Sequence, residues 1–431
     1  MHTSRRYQTF CLARAVFLAH PLVATSATRA LAQAATIVVD PQGAVSSVHE
    51  GIRLASTGGR VVVRRGVYRE PVITIDRRMT LEGEAGATLD GSGAHTVLVI
   101  TADDVTVRGF TIRNTGSSQS QERAGLRAQD ARGCRLENNR LEETQFAIYL
   151  SKVSACLVEG NVIQGSHSTQ ATSGNGIHLW YSNDIEIAHN EVHGHRDGIY
   201  FEFVRGGRVH DNTSEQNARY GMHFMFSDDC RYERNVYRDN GNGVAVMYSK
   251  RVEMIGNRFA DNGGSAAYGL LLKNINDSYV ANNDFTKNSV GLYLEDSNRN
   301  RVRANRFLEN GWALKVMANA QENTVERNVF ELNTFDVTTN SRSNFSRFNE
   351  NYWERYRGYD LDRDGIGDVP HTPVRLFALV VAQTPPTIIL MRSLLVDLLD
   401  LAEHVLPALT PETLVDQRPL MKRPRAGASH D

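Results

Sequence analysis

The stretch GIYFEFVRGGRVHDNTSEQNARYGMHFM, from Gly198 to Met225, begins and ends with copies of one short motif. In each copy a small residue precedes an apolar, a variable and an apolar residue, as in GIYF and GMHF. The motif recurs mostly every 22 or 23 residues, and longer steps of 29 before Gly176 and 26 before Gly269 indicate insertions. Its copies begin at Gly125, Ala147, Gly176, Gly198, Gly221, Gly243, Gly269, Gly291, Ala313 and Thr334.

An asparagine that shortly precedes an apolar residue repeats in phase with this motif. It stands at Asn139, Asn161, Asn190, Asn212, Asn235, Asn257, Asn283, Asn305 and Asn328. Each repeat alternates apolar and polar residues between Asn, Asp, Ser and Gly turns, which is typical of short strands. A strand unit this small cannot bury its own apolar face, so successive units must stack. The sequence therefore predicts an all-β parallel β-helix of ~22-residue coils over residues 35–350, with an internal asparagine ladder.

The first 34 residues have the features of a signal peptide. Arg5 and Arg6 form a positive region, and an apolar patch follows over Phe10–Leu22. The tripeptide ALA at residues 30–32 fits a cleavage site for small residues. We therefore expect the protein to be exported from the cytoplasm.

Both ends of the coil stack are predicted to carry a helix. At the first end, Ser46–Ser56 (SSVHEGIRLAS) indicates a short amphipathic helix that caps the coils and covers their edge. At the other end, an extension over residues 351–431 contains the mostly apolar segment Leu376–Pro411, which has a helical stripe. Pro385-Pro386 and nearby charges exclude a membrane-spanning helix. The stripe therefore packs on the coils, on a partner or on a membrane surface.

The charge balance excludes one class of partner. The chain has 48 Lys and Arg against 49 Asp and Glu. It therefore lacks the broad positive field that nucleic-acid binding usually needs.

Three cysteines remain outside the signal peptide, and each stands five residues before a marker asparagine: Cys134, Cys156 and Cys230. An odd number permits at most one disulfide bond among them. Small or apolar residues occupy the same position in other coils, so packing in the turn explains this column. A bond between Cys134 and Cys156 is the alternative.

The direction of the side chains selects a candidate metal site. Alternation along a strand points the middle residue of each motif outward, together with the residue two places further on. The first outward column is His178, Tyr200, His223, Ala245, Leu271, Tyr293 and Lys315, and the second is Trp180, Glu202, Met225, Met247, Lys273, Glu295 and Met317. His223 and Met225 share one strand face, and Met247 lies beside Met225 one coil further on. Imidazole and thioether ligands favour Cu(I) over hard cations, so these three residues are predicted to bind copper.

Two further residues are additional candidate ligands for copper. Glu202 lies one coil before Met225, and His178 lies two coils before His223. Met222 falls in the inward set and is predicted to belong to the core. The alternative for the outer stripe is that it only lies under a loop or a partner chain.

A second candidate site follows the last coil, in the sequence GYDLDRDGIGD. Asp360, Asp362, Asp364 and Asp368 have the spacing of the first nine positions of a calcium-binding loop. Position twelve is His371 rather than a bidentate glutamate. The segment is therefore predicted either to hold a structural calcium ion or to be a loop of Asx turns.

Several segments together resemble the NosD family of periplasmic proteins, which take part in nitrous oxide reductase maturation. They are RYGMHFMFSDD, GVAVMYSKRVEMIGN, AAYGLLLKNINDS, NGWALKVMANA, FDVTTN and GYDLDRDGIGDVP. The resemblance covers roughly the whole chain after the signal peptide. It implies a right-handed parallel β-helix that handles copper in the periplasm and is not an enzyme.

The resemblance also implies partners. Members of the family work with the permease and ATPase subunits of an ABC transporter, receive copper from a chaperone lipoprotein, and help to assemble the copper–sulfur centre of apo nitrous oxide reductase. The protein would then be held at the inner membrane peripherally, through its transporter partner.

Sugar-acting proteins are the main alternative, because parallel β-helices often bind carbohydrate along an outward strand face. A polysaccharide lyase or epimerase needs acid and base groups within reach of one sugar. Lys273, Tyr293 and Glu295 lie on adjacent coils of the predicted outward face. The sequence therefore keeps a lyase, an epimerase or a carbohydrate-binding protein open, while the placement of His223 and Met225 favours copper.

Overall fold

The computed structural model describes residues 36–165, 173–264, 267–341, 344–391, 393–405 and 414–424. The expected signal peptide, residues 1–34, lies outside this part of the chain. Over the described residues the strands form three parallel sheets, in which each strand pairs with the equivalent strand of the next coil. The predicted parallel β-helix is confirmed.

The sheets are numbered in the order in which the chain visits them within a coil. Sheet 1 contains Thr36–Val39, Gly59–Val63, Met79–Gly83, Thr106–Arg108, Arg135–Glu137, Leu157–Glu159, Glu186–Ala188, Arg208–His210, Arg231–Glu233, Glu253–Ile255, Tyr279–Ala281, Arg301–Arg303, Thr324–Glu326 and Arg347–Asn349. Sheet 2 contains Gly66–Tyr68, Ala87–Asp90, Thr111–Gly116, Arg140–Thr144, Val162–Gln164, Glu191–His193, Thr213–Glu215, Val236–Arg238, Arg258–Ala260, Asp284–Thr286, Arg306–Leu308, Val329–Glu331 and Tyr352–Trp353. Sheet 3 contains Ile73–Ile75, Leu98–Ile100, Ala124–Gln129, Phe146–Ser151, Asn175–Trp180, Asp197–Glu202, Tyr220–Met225, Asn242–Lys250, Leu270–Asn276, Val290–Glu295, Trp312–Val316 and Phe335–Thr338.

Sheet 3 carries the repeated motif, and its register matches the predicted columns. Met225 pairs with Glu202 on one side and with Met247 on the other. The apolar residues of each motif point into the core because side chains alternate between the two faces of a strand. Met222 is fully buried, and its sulfur accepts a hydrogen bond from the Tyr237 hydroxyl at 3.3 Å. The prediction that Met222 belongs to the core is confirmed.

The marker asparagines form the predicted ladder in the turn between sheets 1 and 2. Nδ2 of Asn235 donates to Oδ1 of Asn257 and to the Val209 carbonyl, and Oδ1 of Asn235 accepts from Nδ2 and the backbone N–H of Asn212. A second ladder, which the sequence reading missed, lies between sheets 2 and 3 at Asn217, Asn240, Asn262, Asn288, Asn310 and Asn333. Both ladders supply partners for buried backbone groups in the turns.

The first end of the stack carries the predicted capping helix, α1, which spans Val48–Leu54. Ser47 caps it, because its side chain accepts a hydrogen bond from the backbone N–H of Glu50. Val48 and Ile52 are buried in the core formed by the first coils. The helix therefore covers the end of the stack, as the sequence predicted.

The extension after the coils contains two α-helices and one 3₁₀ helix. Their bounds are Leu376–Gln383 (α2), Pro385–Leu390 (3₁₀) and Leu394–Val405 (α3). Phe377 of α2 packs on Phe335 of sheet 3, and Val396 of α3 joins the same cluster. The outer sides of these helices expose Ile388, Ile389, Leu394, Leu395 and Leu398. The apolar segment therefore docks on the coils with one side and leaves another side open.

Membrane crossing by the described helices is excluded by their length and composition. In the part of the chain that the structure describes, no helix is both long enough and apolar enough to cross a membrane.

Residues 414–424 close the far end of the asparagine ladder. Oδ2 of the fully buried Asp416 accepts hydrogen bonds from the backbone N–H and Nδ2 of Asn351 and from Nε1 of Trp353, each at 3.0 Å. The ladder therefore ends on a carboxylate that the extension supplies.

The cysteine column divides between the two alternatives that the sequence left open. Cys134 and Cys156 form a disulfide bond between adjacent coils, so packing alone is the wrong explanation for this pair. Cys230 is a free, buried thiol, and burial raises its pKa to about 12. Turn packing therefore describes Cys230 only.

Candidate metal centre

Neighbouring strands of sheet 3 bring the candidate copper ligands together. His223 and Met225 lie two residues apart on the strand Tyr220–Met225, and Met247 is the register partner of Met225 on the strand Asn242–Lys250. Adjacent strands lie about 4.8 Å apart, so the two thioethers leave the sheet side by side. Both methionines are half-buried.

His223 is buried, whereas the sequence predicted an exposed position. The residue is only 7% exposed because aromatic rings cover its imidazole. The ring centroids of Tyr220 and Tyr200 lie 4.7 and 5.1 Å from that of His223. The predicted direction of the side chain is therefore correct, and the predicted exposure is wrong.

An ion pair between the half-buried Arg219 and the buried Asp197 holds the Nδ1 side of this imidazole. Arg219 Nη2 lies 3.1 Å from His223 Nδ1, and Asp197 Oδ2 lies 3.7 Å from the same atom. Burial acts to raise the pKa of the Asp197 carboxyl, but hydrogen bonds from Arg219 and His223 outweigh it and hold that pKa below its ordinary value. His223 Nε2 is buried and has no hydrogen-bond partner among the described residues. Such an atom is costly to bury, so Nε2 is the position where this site could take a ligand.

Glu202 and Tyr200 border the sulfur of Met225. The Tyr200 hydroxyl donates to Glu202 Oε2 at 3.2 Å and lies 3.9 Å from Met225 Sδ. Burial and the charge of Glu202 raise the pKa of Tyr200 to about 12. The hydroxyl therefore keeps its proton at neutral pH, and it places the Glu202 carboxylate next to the thioether.

His178 does not join the other candidate ligands. Its ring stacks between the rings of Tyr149 and Tyr200, with centroid distances of 4.4 and 4.8 Å. Tyr200 therefore separates His178 from His223. Burial and the nearby charge of Arg196 lower the pKa of His178 to about 3, so this imidazole is neutral at physiological pH.

An exposed aromatic ladder, formed by Tyr181, Phe203, Phe226 and Tyr248, borders the two methionines. Successive ring centroids lie 4.5, 5.2 and 5.1 Å apart on consecutive coils. All four residues have a positive φ, which is unfavourable for bulky side chains. The sequence reading missed this ladder, although an aromatic residue follows the second outward column in four successive repeats.

The acidic loop brings together three of its four predicted ligands. Carboxylate oxygens of Asp360, Asp362 and Asp364 lie within 4.8 Å of one another. Asp360 Oδ1 is buried and has no hydrogen-bond partner in the described part of the chain. Asp368 instead accepts a hydrogen bond from the backbone N–H of Leu361 at 2.7 Å. The structure therefore gives Asp368 a role in closing the loop.

Two of the three residues that kept a sugar-acting enzyme open, Lys273 and Glu295, form an ion pair. Lys273 Nζ lies 3.3 Å from Glu295 Oε1, and this hydrogen bond raises the pKa of Lys273. Burial raises the pKa of the neighbouring Tyr293. Lys273 and Tyr293 are therefore protonated at neutral pH, and neither is ready to abstract a proton.

The sequence of this site is similar to known proteins. Residues 160–358, which include all the candidate copper ligands, match a family model described as periplasmic copper-binding protein (NosD). A probable ABC transporter binding protein NosD from Pseudomonas aeruginosa is 29% identical over 397 residues, or 88% of this chain and 92% of the relative. The chain is similar to NosD proteins over most of its length. A NosD relative from Stutzerimonas stutzeri is 28% identical over 371 residues, or 81% of this chain and 84% of the relative.

Solved structures similar to this chain show the fold alone. The catalytic unit of a GH87 alpha-1,3-glucanase from Streptomyces thermodiastaticus has a TM-score of 0.58 and 12% identity, over 74% of this chain and 69% of the glucanase. A family 28 exopolygalacturonase from Yersinia enterocolitica has a TM-score of 0.52 and 10% identity, over 73% of this chain and 78% of the enzyme. One β-helix can carry unrelated sites, so these similarities do not transfer an activity.

Proposed function

We propose that this protein handles copper(I) in the periplasm and works with an ABC transporter to assemble the copper–sulfur centre of nitrous oxide reductase. One observation carries the proposal. His223 Nε2 is buried without a hydrogen-bond partner among the described residues, and it lies on the same strand face as Met225, whose register partner is Met247. In this proposal copper is the cargo of the protein.

The donor set fits the soft monovalent ion. Thioethers and imidazole bind Cu(I) well, and thioethers do not form disulfides in an oxidising compartment. Arg219 can only donate, so Nδ1 of His223 accepts a hydrogen bond from it at 3.1 Å and the ring proton lies on Nε2. Copper at Nε2 requires this proton to move to Nδ1, with Asp197 Oδ2, now 3.7 Å away, as its acceptor in place of Arg219. Ligating histidines commonly donate their other ring N–H to a carboxylate in this way. Asp197 would therefore orient the imidazole, and Glu202 is the register partner of Met225 on the adjacent strand.

The partners in this proposal follow from the relatives and from the extension. Both NosD relatives are named as probable ABC transporter binding proteins, which supports a permease and an ATPase subunit as partners. The exposed side chains of Ile389, Leu394 and Leu398 offer an apolar surface for the permease. A chaperone lipoprotein would supply copper, and apo nitrous oxide reductase would receive it.

A competition assay tests the copper site. Purified mature protein is titrated under anaerobic conditions against a chromophoric Cu(I) chelator. We expect about one bound ion, and each of Met225→Leu, Met247→Leu and His223→Gln should weaken binding by at least roughly tenfold, or about 1.4 kcal/mol. Met222→Leu is the matched control, because this methionine lies on the same strand and points inward. Wild-type affinity in all three outward variants would contradict the proposed site.

We extend the proposal to a structural calcium ion held by Asp360, Asp362 and Asp364. The proximity of the three carboxylates and the unpartnered oxygen of Asp360 support it. An ion that binds only the folded chain raises the free energy of unfolding by RT ln(1 + [L]/Kd). Calcium should therefore raise the unfolding temperature of the wild type and not that of Asp362→Asn. An equal response in both proteins would place the ion elsewhere.

Catalysis on sugars is not part of the proposed function, because Lys273 is protonated in its pair with Glu295. Incubation with uronate polymers tests this point. Formation of an unsaturated sugar product that Lys273→Ala abolishes would replace the copper proposal with a lyase.

A further inference from the structure

A group of metal-ligating side chains lies at the corner between sheets 1 and 2, away from the outward face of sheet 3. His210 is the last residue of the strand Arg208–His210, and Asp211 follows it in the turn. His189 occupies the corresponding turn of the preceding coil, where its backbone N–H donates to the His210 carbonyl at 3.3 Å. The stacking of the coils therefore brings His189 next to His210 and Asp211.

The donor atoms of these residues are close enough for one ion. One ligand atom from each of His189, His210 and Asp211 lies within 4.8 Å of the other two. His210 Nδ1 is 2.8 Å from Asp211 Oδ2, and the two imidazole centroids are 5.8 Å apart in an edge-to-face arrangement. His189 is exposed and the other two are half-buried, so the group is open to ions from solvent.

A neighbouring carboxylate fixes the orientation of the His210 ring. Glu186 Oε1 lies 3.0 Å from His210 Nε2, on the side of the ring opposite Asp211. Nε2–H then donates to Glu186, and without a metal Nδ1–H donates to Asp211 Oδ2 at 2.8 Å. A metal ion would replace the proton on Nδ1 and take its lone pair. This chain of carboxylate, imidazole and metal is the usual arrangement behind a metal-binding histidine.

Arg234 leaves room for a metal on the same carboxylate. Its guanidinium binds both oxygens of Asp211, at 2.8 and 2.7 Å. Each carboxylate oxygen has two lone pairs. On Oδ2 one accepts from Arg234, and the other, which accepts from His210 Nδ1–H, would pass to an ion that replaces this proton. Arg234 also restrains the rotation of Asp211, which keeps the carboxylate directed along the corner.

We infer that His189, His210 and Asp211 form a second metal site, which takes a borderline divalent cation such as Zn²⁺ or Cu²⁺. Two imidazoles and one carboxylate match these ions, whereas they lack the soft sulfur ligands that favour Cu(I). Three protein ligands leave a fourth position open to water or to a group from a partner. The inference does not depend on the copper(I) proposal, because the two sites share no residue.

Calorimetric titration of the mature protein with Zn²⁺ tests this assignment. His189→Asn suits the turn, because asparagine tolerates the positive φ of 55° at this position. We expect His189→Asn and His210→Gln each to weaken Zn²⁺ binding by roughly tenfold or more. His193→Gln, on the adjacent strand Glu191–His193, should bind as the wild type does.

Two results would overturn the inference. The first is a wild-type protein that does not bind Zn²⁺, or that binds it with the same affinity as both cluster variants. The second is a loss of Zn²⁺ affinity in His193→Gln equal to that in the cluster variants, because binding would then not depend on this group of residues. Circular dichroism of each variant confirms that the β-helix is folded, so lost binding reports the site.

Discussion

Asp416→Ala removes the carboxylate on which the asparagine ladder ends. Oδ2 of Asp416 accepts from two donors of Asn351 and from Nε1 of Trp353, all at 3.0 Å, in a position that is fully buried. Each buried donor left without a partner costs roughly 1–3 kcal/mol. Three such donors give roughly 3–9 kcal/mol, and we expect the free energy of unfolding to fall by about 5 kcal/mol.

Urea unfolding measured by tryptophan fluorescence checks this value, because Trp353 lies at the affected end. Asp416→Asn is the control of matched size. It keeps one carbonyl oxygen as an acceptor and should lose less than half as much stability. If the free energy of unfolding of Asp416→Ala lies within about 1 kcal/mol of the wild-type value, then the ladder does not depend on this carboxylate and the reasoning is refuted.

Three further predictions concern other parts of the fold. Reduction of the Cys134–Cys156 bond should lower the free energy of unfolding by about 3 kcal/mol, because the bond closes a loop of 22 residues; an unchanged urea midpoint would contradict this. Stability should fall as the pH drops through the folded pKa of Asp197, because that pKa lies below the unfolded value of about 3.9. In Asp197→Asn the unfolding midpoint should fall less steeply at acidic pH than in the wild type. The same pH dependence in both proteins would argue against the ion pair. Ser47→Ala should lower the free energy of unfolding by about 1 kcal/mol, measured by thermal unfolding. An unchanged value would mean that the cap of α1 does not stabilise the fold.

The position of Met225 beside Met247 could be predicted because two regularities fix it. Side chains alternate along a strand, and the repeat sets which residues are neighbours on successive coils. The environment of His223 could not be predicted in the same way. Its exposure depends on how Arg219 and Tyr220 fold over the imidazole and on their pairing with Asp197, and no period in the sequence encodes these contacts.

The repeat does not predict contacts between distant parts of the chain. Asp416 lies 65 residues after Asn351, in a segment without coils, so nothing in the pattern connects the two. The cysteine column was ambiguous for a different reason. Stacked turns bring equivalent residues close together whether or not a bond joins them, and only the geometry of Cys134 and Cys156 separates packing from bonding.

The asparagine ladder has a direction. In each link Nδ2 of the earlier residue donates to Oδ1 of the later one, from Asn139 through Asn235 to Asn351. Aligned amide dipoles add, as they do along an α-helix, so the C-terminal end of the ladder is partially positive and the opposite end partially negative. The negative charge of Asp416 lies at the positive end, like an acid at a helix N-terminus. The partially negative end lies inside the stack, where Oδ1 of Asn139 accepts from the backbone N–H of Phe110, and the buried Asp416 compensates the partially positive end.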